Sequence, residues 1–273
     1  RYVGGLRPDQ FTFLENYLAT LPRERLLVLG MHIPVFDAAP ERETFRRADR
    51  KRLFALLKRF PNLLLLSGHS HTQQHYYHGA AEGWAGARPL HEYNVGAACG
   101  AFWSGVKDKA GIPDATMSDG TPNGYALLDV HGDGSYELQY RVARGAEDEQ
   151  IALHAPKVLR KGAYPAWGVY ANVFMGQADT RVEYRVDGGE WAMMKQVLQP
   201  DPRLLVENVA DDTAQRLRGY DRSPEATPST HLWRGALPTD LAAGPHTVEV
   251  RAQTGTGPVF TATTTYRLQV ATP

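Results

Sequence analysis

Three histidines stand where two apolar runs end. Leu26-Leu27-Val28-Leu29 runs into Gly30-Met31-His32, and Leu63-Leu64-Leu65-Leu66 runs into Ser67-Gly68-His69-Ser70-His71. Imidazole is a favoured ligand of zinc and related divalent metals, and a His-x-His pair leaving a strand through glycine can aim its rings at two adjacent positions. His32, His69 and His71 are therefore the candidate metal ligands. For His32 alone a core role would be the better reading; two further imidazoles at a second strand end reverse that preference. His75 and His78, in Thr72-Gln73-Gln74-His75-Tyr76-Tyr77-His78, could build a one-zinc structural site with His71. Such sites normally include cysteine, so surface-loop roles are expected for both.

The elements that must position these residues read as alternating helix and strand. Pro8 suits a first helical turn, and Phe11, Leu14, Leu18 and Leu21 follow at three-to-four spacing. The unalternating run 26–29 suits a strand buried on both faces of a parallel sheet. A second helical pattern spans 44–60, with Leu53, Leu56, Leu57 and Phe60 on one face, and the run 63–66 is a second buried strand. This is the grammar of a layered α/β fold, where ligands collect beyond the carboxyl ends of parallel strands. Basic residues crowd the second helix: Arg42, Arg46, Arg47, Arg50, Lys51, Arg52, Lys58 and Arg59 stand against Glu41, Glu43 and Asp49. That excess could draw in a phosphorylated substrate, but a solvated face whose long stems cover apolar surface is the expectation.

From about 91 to 142 short strands alternate with glycine- and proline-rich turns, including a hairpin turn at Val130-His131-Gly132-Asp133-Gly134. The charged stretch 144–150 reads as a linker. Beyond it Val182, Tyr184 and Val186 alternate with Arg181, Glu183 and Arg185, and the pattern returns at Val248, Val250 and Ala252 and at Phe260, Ala262, Tyr266 and Leu268. Half-buried antiparallel strands of this kind predict a β-sandwich. The expected fold class is α/β plus all-β, with one domain over 1–150 and a β-sandwich accessory domain over 151–273.

The motifs Met31-His32-Ile33-Pro34 and Gly68-His69-Ser70-His71 resemble those of the calcineurin-like metallophosphoesterases. There an apolar strand ends in a lone His followed closely by Pro, and a later strand ends in Gly-His-x-His. A finer resemblance, carried by His91-Glu92-Tyr93-Asn94-Val95-Gly96 and by Asp119-Gly120-Thr121-Pro122-Asn123-Gly124-Tyr125, is to a bacterial subgroup with an added carboxy-terminal domain. The resemblance implies that His32 and His69 bind one metal and His71 the other. It also implies that residues 1–150 are the carboxy-terminal half of a metallophosphoesterase-type α/β sandwich, and that the intact enzyme is a hydrolase of phosphate mono- or diesters. Two divalent cations (Zn, Fe or Mn), about 3.5–4 Å apart, would serve an in-line attack on phosphorus. The family's earlier Asp-x-His, its Gly-Asp with a bridging aspartate, and its Gly-Asn-His-Asp or Glu with an asparagine ligand and catalytic histidine do not occur ahead of His32. The expectation is thus a chain that lacks the upstream half of the site, carries no catalytic residue of its own, holds at most one metal tightly and turns over negligibly alone.

Trp103, Asp119 and Asn123 lie in a turn-rich stretch after the metal motif and are the candidate substrate contacts, since pocket walls are often built from such loops. The alternative function is a non-catalytic glycan- or protein-binding module on the β-sandwich, with Trp167, Trp191 and Trp233 as a stacking platform. Thirty basic residues balance thirty acidic ones, so no nucleic-acid partner is implied, and no apolar run approaches the roughly 20 residues of a membrane span. The partners expected are a phosphate ester and the missing upstream segment of the same protein, with self-association another way to cover an exposed sheet edge. A single cysteine, Cys99, leaves the redox compartment open; a periplasmic or extracellular location is favoured.

Overall fold

The structure, a computed structural model, describes residues 2–37, 39 and 41–271. The chain divides into two compact units: residues 1–97 with 126–139, and residues 98–125 with 140–273. Neither unit ends at residue 150. The chain is β-rich with an α/β portion at its amino-terminal end, and among the described residues no helix is long and apolar enough to cross a membrane.

In the first unit, α1 (Pro8–Thr20) starts where the sequence puts it. Proline at its first position costs no hydrogen bond, and Gln10 Oε1 accepts the Arg7 backbone N–H at 2.9 Å. The chain continues through β1 (Leu27–Gly30), α2 (Arg47–Leu57), β2 (Leu63–Ser67), β3 (Gln74–His78) and β4 (Leu90–Asn94). The sheet order is β1-β2-β4-β3, with β1 and β4 parallel to β2 and β3 antiparallel to β4. Phe11 and Leu18 of α1, Leu53, Phe54 and Leu57 of α2, and Leu63 and Leu65 of β2 form one buried cluster.

Strand β1 departs from the expectation of burial on both faces. It lies at the sheet edge, pairs with β2, and leaves Val28 37% exposed while Leu27 and Leu29 lean on the core. The basic surface of α2 is not wholly solvated either. Arg50 is buried, donating to the Val35 carbonyl at 3.1 Å and to Asp37 at 3.2 Å, and the Arg52 guanidinium covers the Phe11 ring at 4.1 Å.

Strands β5 (Gly124–Val130) and β6 (Tyr136–Val142) form a two-stranded hairpin whose residues 126–139 group with the first unit. The second unit continues through β7 (Ile151–His154), β8 (Val158–Arg160), β9 (Gly168–Val173), β10 (Arg181–Val186), β11 (Ala192–Met193), β12 (Lys195–Pro200), α3 (Pro202–Thr213), β13 (Pro228–Ala236), β14 (Gly244–Gln253) and β15 (Phe260–Gln269). Its sheets run β11-β10-β14-β15-β8 and β12-β13-β9-β7. One apolar cluster draws on both: Val182, Val248, Val250, Ala252, Tyr266 and Leu268 from the first, Ile151, Val169, Ala171, Val173 and Trp233 from the second. Helix α3 has no counterpart in the sequence expectation, although Asp201 caps it by accepting the Arg203 N–H at 2.7 Å and Pro202 opens it.

The turn after β10 shows how a short motif is fixed. Asp187 adopts a left-handed φ of 51°. Its Oδ2 lies 2.6 Å from His246 Nδ1 and its Oδ1 accepts the Thr247 N–H at 2.8 Å. The hydrogen bond to Asp187 raises the pKa of His246, and that same bond lowers the pKa of Asp187. The ion pair is therefore complete between the two titrations; its contribution fades as pH rises through the raised His246 pKa, and again as pH falls through the lowered Asp187 pKa. With Asp187 half exposed, Asp187→Ala should cost about 1 kcal/mol near neutral pH. Urea unfolding of both proteins at neutral and alkaline pH should show the difference shrink in alkali.

Candidate metal centre

Parallel strands β1 and β2 release their chains at the same end of the sheet, and the two released segments touch. Gly68 N–H donates to the His32 carbonyl at 3.0 Å, which brings the side chains of residues 32 and 69 together. His69 Nδ1 lies 3.1 Å from His32 Nε2, with the rings edge to face. His69 and His71 both adopt left-handed backbone angles, φ 69° and 54°. Non-glycine residues rarely sit there and the cost is of order 1 kcal/mol each, so the Gly-His-x-His turn is held by its surroundings.

Strand β4 supplies the holding groups. Asn94, fully buried, donates to the Ser70 hydroxyl and, at 2.8 Å, to the Thr72 carbonyl. Ser70 and Thr72 hydroxyls lie 2.8 Å apart. Glu92, also fully buried, accepts the Val35 N–H at 2.9 Å, just beyond the His32-Ile33-Pro34 turn, and its other oxygen lies 2.8 Å from His78 Nε2. One β4 side chain thus braces each histidine-bearing turn. Neither was legible as a ligand support, because their partners are 14 to 57 residues away. His75 and His78, expected in a surface loop, both lie on β3, with His78 wholly buried against Glu92 and the Phe54 ring.

Desolvation lowers the pKa of His69, and the charges of His32, His71 and Arg42 lower it further. A lowered pKa keeps the ring neutral, and so able to ligate, further into acid. The 3.1 Å separation of the two ring nitrogens matches two corners of one metal's coordination shell, since a tetrahedron with ~2.0–2.1 Å bonds has an edge of about 3.3 Å. His71 is half buried and within electrostatic range of His69. Among the described residues no group of three or more His, Cys, Asp or Glu side chains gathers to hold a metal. What the structure brings together is the His32–His69 pair.

In the second unit, Trp103 is 57% exposed. Asp119 is buried, with one oxygen accepting the Thr121 N–H at 2.9 Å and the other 3.2 Å from His231 Nε2. Asn123, buried too, donates to the Ala98 carbonyl at 2.7 Å. Of the three tryptophans weighed as a stacking platform, Trp233 is 3% exposed inside the core, and Trp191 lies under the guanidinium groups of Arg185 and Arg251.

By letters alone Asp129-Val130-His131-Gly132-Asp133 repeats the Asp-x-His and Gly-Asp patterns. These residues end β5 and make the exposed turn to β6, where Asp133 accepts the Ser135 N–H and hydroxyl. They are hairpin chemistry and supply no ligand to the histidine pair.

Residues 92–260, more than half of the chain, match the family model described as the C terminal of calcineurin-like phosphoesterase. The match begins at Glu92, so it takes in both β4 braces and follows the three histidines. No curated protein matches the chain.

Proposed function

The chain belongs to the calcineurin-like phosphoesterase family, and from that premise we propose that it contributes His32, His69 and His71 to a metal-dependent phosphoester hydrolase. The observation that carries the reading is the His32 Nε2 to His69 Nδ1 approach of 3.1 Å at the carboxyl ends of adjacent parallel strands. Divalent cations (Zn, Fe or Mn) in such a centre would polarise the phosphoryl oxygens and lower the pKa of the attacking water. The chain's own residues have narrower duties. His32 and His69 present paired nitrogens, His71 offers a third, and Glu92 and Asn94 fix the two turns. On this reading the remaining ligands come from residues outside this sequence; Asp119 and Asn123 are buried and held by partners within the second unit, so of the three substrate candidates only Trp103 is kept.

The same reading takes residues 1–150 as part of a metallophosphoesterase-type α/β sandwich and residues 151–273 as a β-sandwich accessory domain. The apolar cluster shared by the two sheets of the second unit supports the latter.

Zinc titration of the purified chain, followed by calorimetry, tests the centre without relying on turnover. One equivalent should bind, and His32→Ala or His69→Ala should each weaken it by at least about 10-fold, since even outer-shell losses cost that much. Binding should also weaken as acid protonates the rings. Affinity unmoved by either substitution would sink the assignment. Hydrolysis of an aryl phosphate by this chain alone should be negligible; robust metal-dependent turnover would refute the partial ligand set.

A further inference from the structure

The end of the first unit's sheet opposite the histidines carries a cavity that the phosphoesterase reading does not use. It has a volume of about 430 Å³ and opens where β2 and β4 begin, at Leu63 and Leu90. Arg23, Lys58, Arg59 and Arg88 line it together with Phe60 and Trp84, and among the described residues no acidic one does. Among the described residues none of the four cations forms an ion pair, although Arg7, Arg47, Arg50 and Arg52 of the same unit do.

The four charges come from three separate segments. Lys58 and Arg59 follow the last turn of α2, where cations are favoured by the exposed carbonyls; that accounts for two. Arg23 comes from the connection between α1 and β1, and Arg88 from the loop ahead of β4, and no helix end explains those. The Arg88 loop is built in place: Trp84 Nε1 donates to the Arg88 carbonyl at 2.7 Å, and the indole stands edge-on to Phe54 of α2. Gly86 completes it, because a Cβ there would run into the Trp84 ring.

Concentrating unpaired like charges around a concave surface costs energy unless an anion answers them. Arginine forks match phosphoryl oxygens two at a time. The remaining wall is apolar and aromatic, and the volume lies within the roughly 300–1,000 Å³ of small-molecule sites. We propose that this cavity binds a soluble organic phosphate, with two or more phosphoryl groups on Arg23, Lys58, Arg59 and Arg88 and an apolar body against Phe60 and Trp84. The site is separate from the histidine pair and does not depend on the metal reading.

ADP, inorganic pyrophosphate and adenosine, titrated calorimetrically into the full chain, are the probes. ADP should bind more tightly than pyrophosphate, adenosine should bind hardly at all, and affinity should fall with added salt. Arg59→Gln/Arg88→Gln should weaken ADP by at least about 10-fold, while His32→Ala/His69→Ala leaves it unchanged. Ala87→Glu, which adds an opposing charge at an exposed lining position, should weaken binding similarly without moving the unfolding midpoint, and it decides the matter if the double variant fails to fold. The proposal is overturned if ADP does not bind the wild-type chain, if ADP binding survives both cavity changes, or if the loss follows the histidine variant.

Discussion

Asn172→Ala should lower the unfolding free energy by roughly 3–5 kcal/mol, the range for breaking a buried polar network from one side. Asn172 of β9 is 1% exposed and sits between three groups as deeply buried. Its amide nitrogen donates to the Asp119 carbonyl at 2.8 Å and to Asp201 Oδ2 at 2.7 Å, and its oxygen lies 2.8 Å from His231 Nδ1. Alanine would strip a partner from all three at once, in a place where water cannot readily replace it. The damage should spread. Asp201 also caps α3, and Arg203 of that helix donates to the Gly120 carbonyl at 2.7 Å, so the 119–121 turn and the helix hang on the same network. Chemical denaturation should show a large fall in midpoint with little change in slope. A loss under about 1 kcal/mol would mean that water or a rearranged side chain satisfies the freed groups.

That network also shows why Asp119 was legible only as a residue type. A carboxylate in a turn-rich stretch reads as a pocket wall, yet its ring partner is 112 residues further along. Nothing local encodes that pairing. The histidine turn is the opposite case. Gly68, His69 and His71 are neighbours at the end of one apolar run and His32 follows another, so the strand ends were enough to nominate all three, while the 37 residues between His32 and His69 are closed only by the pairing of β1 with β2. What spacing could not give was the bracing, because Glu92 and Asn94 act across strand pairings set by the sheet order.

Elements followed the same rule. Alternation in β10, β14 and β15 predicted which side chains enter the core, and Val182, Val248, Val250, Tyr266 and Leu268 do. An apolar run does not state what covers each of its faces, so β1 read as buried on both, yet Val28 is 37% exposed. Helix α3 was missed among strands, although Asp201-Pro202 is a helix-start signal and Leu204, Leu205, Asn208 and Val209 follow at helical spacing. Its apolar face is only partly used: Leu204 is buried, while Leu205 and Val209 are largely exposed. That thin burial is why the surrounding strand pattern outweighed it.

The second large effect is a loss of stability in acid traceable to His91. This ring, 9% exposed, packs nearly parallel to Tyr77, His75 and Tyr136. Its Nε2 lies 2.9 Å from His75 Nδ1 and its Nδ1 lies 2.7 Å from the Tyr136 hydroxyl. Burial pushes the Tyr136 phenol well up, so it stays protonated and can donate to Nδ1, leaving Nε2–H to donate towards His75. Burial lowers His91 from 6.5 to about 4, with the Glu92 charge opposing weakly. Since the folded pKa is below the unfolded one, the unfolded chain takes up the proton first. Stability from this group is whole above about pH 6.5, drains away as pH falls towards 4, and is flat below that. The depth should be about 3 kcal/mol. His91→Phe keeps the ring stack but removes the titration, so it should be the less stable protein near pH 7 and should close or reverse that gap near pH 4.5. Urea unfolding of both chains across that window gives the answer directly, and parallel stability curves would show that the ring does not titrate as its burial demands.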